Sequence, residues 1–107
     1  MSAVIKADDS NFESEVLQSK QPVVVDFSAS WCGPCKKLEP IVDEVAGDYG
    51  EKVKVVKVDV DSAPGTAAKF AVLSVPTLLF IRDGQVKDQH VGLLSKQQLV
   101  DRVEKVL

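Results

Sequence analysis

The chain is short of the residues on which several kinds of function depend. It has one histidine and two cysteines in 107 residues, whereas a structural zinc site takes four ligands. Those cysteines, Cys32 and Cys35, are separated by two residues, and a bridge across so small a ring contributes only roughly 2 kcal/mol of chain entropy. A secreted mini-protein held together by disulfides would carry several cysteines at wide spacings. Basic residues are outnumbered, 13 Lys and Arg against 16 Asp and Glu. The resulting net charge of −3 gives no field for gathering nucleic acid or anionic lipid. No stretch approaches the ~20 apolar residues that span a bilayer. The start, Met1-Ser2-Ala3-Val4-Ile5-Lys6-Ala7, has no basic segment leading into an apolar run, so no secretory signal is expected. These absences point to a protein of the reducing cytoplasm that acts on neither nucleic acid nor membrane.

What is present is ordinary globular usage, with 45% hydrophobic and 27% charged residues. At this length it predicts one domain over 1–107 with a single core. Short β-like runs alternate with helical patterns. Residues 3–6 read as a first strand. Ser10 with Glu13 three residues later is a capping-box signature, with Phe12, Val16 and Leu17 as the apolar face of a helix. Val23-Val24-Val25-Asp26-Phe27 has the pattern of a strand buried on both faces. After a turn at 31–35, Leu38, Ile41, Val42 and Val45 recur at helical spacing through 49, and Pro40 inside the pattern predicts a kink.

Residues 53–60 form a valine-rich strand, and 63–70 a short helix with Pro64 near its start. The runs at 77–81 and 86–91 flank Asp83-Gly84, a strong hairpin signal. Ser95 with Gln98 opens a last helix. The fold class is α/β, a central mixed β-sheet flanked by helices on both faces.

Trp31-Cys32-Gly33-Pro34-Cys35 carries the chemistry. It follows a buried-type strand and opens a helix, where unpaired N–H groups and the positive end of the dipole favour a thiolate at Cys32. Cys35, about one turn further, brings its sulfur close enough to bridge. The Cys32 thiolate can attack a disulfide, and Cys35 can then attack Cys32 and release the product. Trp31, Gly33 and Pro34 offer a flat apolar rim around the sulfur. Asp26 interrupts an apolar run; it is a costly buried carboxylate with a raised pKa, an edge residue facing water, or a carboxylate satisfied by backbone donors. Lys57, between two valines, reads by itself as a lysine snorkelling at a strand edge. Pro76 suits the first residue of a strand, and Gly92 the end of one.

These residues together resemble the thioredoxin family: Val25-Asp26-Phe27, Trp31-Cys32-Gly33-Pro34-Cys35-Lys36, Pro40, Val75-Pro76-Thr77, Gly84 and Gly92 occur in family order along nearly the whole chain. The resemblance implies a thioredoxin fold and a thiol–disulfide oxidoreductase that reduces disulfides in target proteins. It makes Cys32 the nucleophile of a redox-active pair and Cys35 the resolving thiol. Asp26 becomes a base beneath Cys35, and Lys57 the buried partner of Asp26. A cis bond is implied at Pro76, and a docking surface formed by Trp31, Gly33, Pro34, Val75, Pro76 and Gly92. It further implies a monomer that binds no cofactor or metal, supplied with electrons from NADPH by a thioredoxin reductase. Ser28 departs from the tryptophan of many bacterial members, and Leu73 and Ser74 add a further departure at the rim. Two other readings use the same residues: a disulfide oxidase or isomerase, and a non-catalytic adaptor.

Overall fold

A single five-stranded mixed sheet organises the computed structural model, which describes residues 3–107. In chain order its elements are β1 (Val4–Ala7), β2 (Val23–Ser28), α1 (Gly33–Tyr49), β3 (Lys54–Asp59), α2 (Pro64–Lys69), β4 (Thr77–Arg82), β5 (Gln85–Val91) and α3 (Lys96–Glu104). The strands lie in the order β1-β3-β2-β4-β5. β3 runs parallel to β1 and β2, whereas β4 is antiparallel to β2, and β5 to β4. The expected mixed sheet with helices on both faces is what the chain forms.

All six residues of β2 are buried, as the continuous apolar run requires of a central strand. Its side chains alternate between two cores. Val24 packs with Leu38, Val42 and Val45 of α1 and Leu99 and Val103 of α3. Val23, Val25 and Phe27 pack on the opposite face with Phe12, Val16 and Ala63. Fully burying such a side chain stabilises by about 1.5–3 kcal/mol. A slip of one residue would exchange the two faces and swing Asp26 to the wrong core.

The local signals of the second half form as expected. Ser95 Oγ accepts from the Gln98 N–H while the Gln98 side chain accepts from the Ser95 N–H. Asp83 and Gly84 both have positive φ, 53° and 75°, as the tight hairpin turn demands. A Cβ on Gly84 would also meet Leu17 O at 2.9 Å. α1 runs unbroken through Pro40, whose missing N–H leaves the Lys36 carbonyl without its helical partner.

The first half departs near its start. Ser10 and Glu13 form no capping box, and only a single wide turn, Glu13–Leu17, follows, with Gln18 N–H bonded five residues back to Glu13 O at 3.0 Å. Asp8 captures the Ser10 hydroxyl and N–H, and the Asn11 side chain takes the Asp8 N–H. These short polar side chains satisfy one another and leave nothing to cap a helix. β1 begins one residue later than the apolar pattern predicts.

Asp9 instead caps a helix far along the chain. Its carboxylate accepts from Gly65 N at 3.1 Å, Thr66 N at 2.8 Å and Thr66 Oγ1 at 2.7 Å. These bonds hold the Asp9 carboxyl below the usual carboxylate range. A group with a depressed folded pKa stabilises above its unfolded pKa and loses that contribution as pH falls. Asp9→Ala is therefore expected to lower the melting temperature at pH 7, with a smaller deficit at pH 3, as calorimetry at the two pH values would show.

Candidate active site

The cysteine pair is placed by the junction of β2 and α1. Cys32 is the N-cap of α1, with extended backbone, and Gly33 and Pro34 occupy the first two helical positions. Pro34 lies within the first turn, where an N–H has no helical partner and a missing one costs nothing. Cys32 and Cys35 form a disulfide with their Cα atoms 5.3 Å apart. The Cys35 N–H points at Cys32 Sγ at 3.2 Å. A backbone donor and the helix dipole thus converge on the sulfur, an arrangement that stabilises a thiolate there once the bridge is reduced.

Around this pair the surface is apolar and open, but the sulfurs are not. Trp31, Gly33 and Pro34 are exposed, Trp31 to 69%, whereas Cys32 and Cys35 keep only 4% and 5%. Ala29, Val60 and Val75 pack against the two cysteines. Val75 O lies 3.7 Å from Cys32 Sγ. The Val75–Pro76 bond is cis, and Pro76 O accepts from Gly92 N–H at 2.9 Å. Gly92 has φ 99°, a conformation that side chains disfavour. Val75 therefore reaches the sulfur directly, and Gly92 is tied through Pro76 to the loop that carries it.

Asp26 lies on the sheet face that carries α1, since it shares strand parity with Val24. It is 2% exposed, and its Oδ1 takes no hydrogen bond from any described group. Burial pushes this carboxyl up to about 6, the Lys57 charge pulls the other way, and Glu39 and Asp43 add to the rise. The edge position facing water is thereby excluded for Asp26. Lys57 is beside Asp26 in the β2–β3 register, yet it is not a buried partner. Its side chain is 29% exposed and its Nζ pairs with Glu39 Oε2 at 2.8 Å.

A cleft of about 540 Å³ opens beside Cys35, lined by Ser28, Lys57, Glu39, Asp59 and Lys6 among others. Ser28 is buried there. Among the described residues no group of three or more His, Cys, Asp or Glu side chains could hold a metal, and no helix is long and apolar enough to cross a membrane.

Two contacts escaped the sequence reading. Asp61 Oδ2 accepts from Trp31 Nε1 at 2.9 Å, and Glu39 captures Lys57. Glu39 stands four residues after Cys35, on the same stripe of the helix, a spacing that could have drawn attention to it. Asp61 gave no comparable signal.

A thiol pair at a helix start under a cis-proline loop is matched by the family comparison, in which a model described as Thioredoxin covers residues 3–105. The chain belongs to the thioredoxin family. It is 46% identical to a thioredoxin of Staphylococcus saprophyticus over 98% of this chain and 99% of that one. To thioredoxin 1 of Synechococcus elongatus it is 45% identical over the full length of both. To a Haemophilus influenzae thioredoxin it is 48% identical over 94% of each. With its redox-active Cys32–Cys35 pair, the chain is a thiol–disulfide oxidoreductase of the thioredoxin family that reduces disulfides in proteins.

Proposed function

We propose that the whole chain works as one domain, in which Cys32 attacks a protein disulfide, Cys35 resolves the product and Asp26 takes the Cys35 proton. The observation that carries this reading is Cys32 Sγ at the N-cap of α1, facing the Cys35 N–H and bonded to Cys35 Sγ. In the reduced protein the Cys32 thiolate attacks one sulfur of the substrate. A mixed disulfide forms and the other substrate sulfur leaves as a thiolate. The Cys35 thiolate then attacks Cys32 Sγ, the second substrate thiolate leaves, and the Cys32–Cys35 bridge remains. Two electrons pass from the dithiol to the substrate. Lys57 tunes Asp26 through its charge.

The rim of Trp31, Gly33, Pro34, Val75, Pro76 and Gly92 is assigned to docking. It is supported by the exposure of Trp31 and by a Val75 N–H that makes no hydrogen bond within the described residues and so is free for an extended peptide. The site is complete within one chain, which supports a monomer. NADPH, through a thioredoxin reductase in the cytoplasm, is assigned as the electron source by membership of the family.

The test is the equilibrium potential of the Cys32–Cys35 pair in defined thiol buffers. A value below the cytosolic glutathione poise of about −220 to −260 mV is expected of a reductase. A value near about −180 mV would overturn the direction of electron flow and make the chain an oxidase or isomerase.

A further inference from the structure

Lys57 stands beside two carboxylates and bonds one. Asp26, its neighbour in the sheet register, is buried with an unpartnered oxygen. Glu39, on α1 one turn past Cys35, holds the Lys57 Nζ at 2.8 Å with half of its own side chain exposed. An ion pair at the mouth of the cleft keeps part of its hydration, whereas drawing the ammonium down to Asp26 would strip it.

We propose that Glu39 is a positioning residue for the resolving step: its carboxylate draws the Lys57 ammonium to the mouth of the cleft and away from Asp26, leaving Asp26 able to take the Cys35 proton. This rests on the reading of Asp26 as the base for Cys35. A base works best when its affinity for the proton matches the working pH. A bonded ammonium would hold Asp26 ionised and make it a poorer acceptor.

The charges acting on Asp26 come from Lys57 on β3 and from Glu39 and Asp43 on α1. Leu78 is its neighbour on β4, and His90 stands beyond Leu78 on β5. Lys6, beside Lys57 on β1, acts on Glu39. Glu39 is the one among these that touches Lys57, and it is exposed enough to be replaced without disturbing the core.

The experiment is a titration of the labelled Asp26 carboxyl carbon by NMR in the oxidised protein, in the parent, Glu39→Gln, Lys57→Met and the double variant. Glu39→Gln is expected to lower the Asp26 midpoint by about 1 pH unit, and most of that change is expected to vanish when Lys57 is methionine. An unmoved midpoint overturns the proposal. So does an equal drop in both backgrounds, since Glu39 would then act by its own charge and not by placing Lys57. The pH profile of release from a Cys32 mixed disulfide is followed in the same proteins. A profile that moves with the midpoint supports the proposal whole. A midpoint that moves while the profile stays leaves Glu39 in control of Lys57 and removes Asp26 as the base.

Discussion

In a Cys35→Ser variant, Cys32 is expected still to attack a protein disulfide, and the two chains then to remain joined. The serine hydroxyl cannot displace the mixed disulfide, so release depends on thiols from solution. A positioned neighbour acts at an effective molarity of about 10⁵ M or more. Substituting millimolar external thiol is therefore expected to lower turnover by more than about 10³-fold. Non-reducing electrophoresis and intact mass would show an adduct of enzyme and substrate that dithiothreitol dissolves. A Cys32→Ser variant, with no nucleophile, would form none. An adaptor that uses only the rim would keep its function in both variants, and that outcome would sink the resolving role.

Asp26→Asn is expected to slow release from the mixed disulfide by about 10²-fold or more near pH 7, the usual scale for loss of a positioned base. In the parent, release is expected to rise as Asp26 loses its proton around pH 6, and the variant is expected to lack that inflection. The same substitution is expected to make the oxidised protein more stable.

The folded pKa of Asp26, about 6, is raised above its ordinary 3.8, so the native state binds more protons than the unfolded chain between those values. Stability accordingly falls as pH rises through that window. The neutral asparagine is spared the loss, which is on the order of 3 kcal/mol above pH 7. Denaturant unfolding with the disulfide intact would show the gap between variant and parent at pH 8 and its closure below pH 4. A gap that is absent at pH 8 would mean that Asp26 ionises freely in the fold.

How much of this could be read in the sequence depends on how local the cause is. The Ser95–Gln98 cap and the Asp83-Gly84 turn involve side chains within three residues of the backbone groups they serve, and both form as read. The cysteine pair is legible for the same reason, because strand, turn and helix start are contiguous. At Ser10 the cue was also local, but Asp8 and Asn11 competed for the same polar groups and prevailed. The Asp9 cap on Thr66 joins residues 57 apart and leaves no periodic trace. Lys57 illustrates a different limit. Likeness to the family puts it beside Asp26, as the register does, yet which carboxylate it bonds is decided by where water reaches, and that depends on a cleft formed by β1, β2, β3 and α1 together. The approach of Val75 to Cys32 was available only through likeness to the family.

The single tryptophan of the chain stands on the lip of the site, 69% exposed and tethered by its Nε1 to Asp61. Indole emission from this protein therefore comes wholly from the residue next to Cys32. The ring is already wet in the native state, so its colour carries little information about melting of the core. A peptide seated on the lip would cover the ring, and its arrival is expected to change the emission. The molecule thus carries its one indole beside the redox pair, with an interior that holds none.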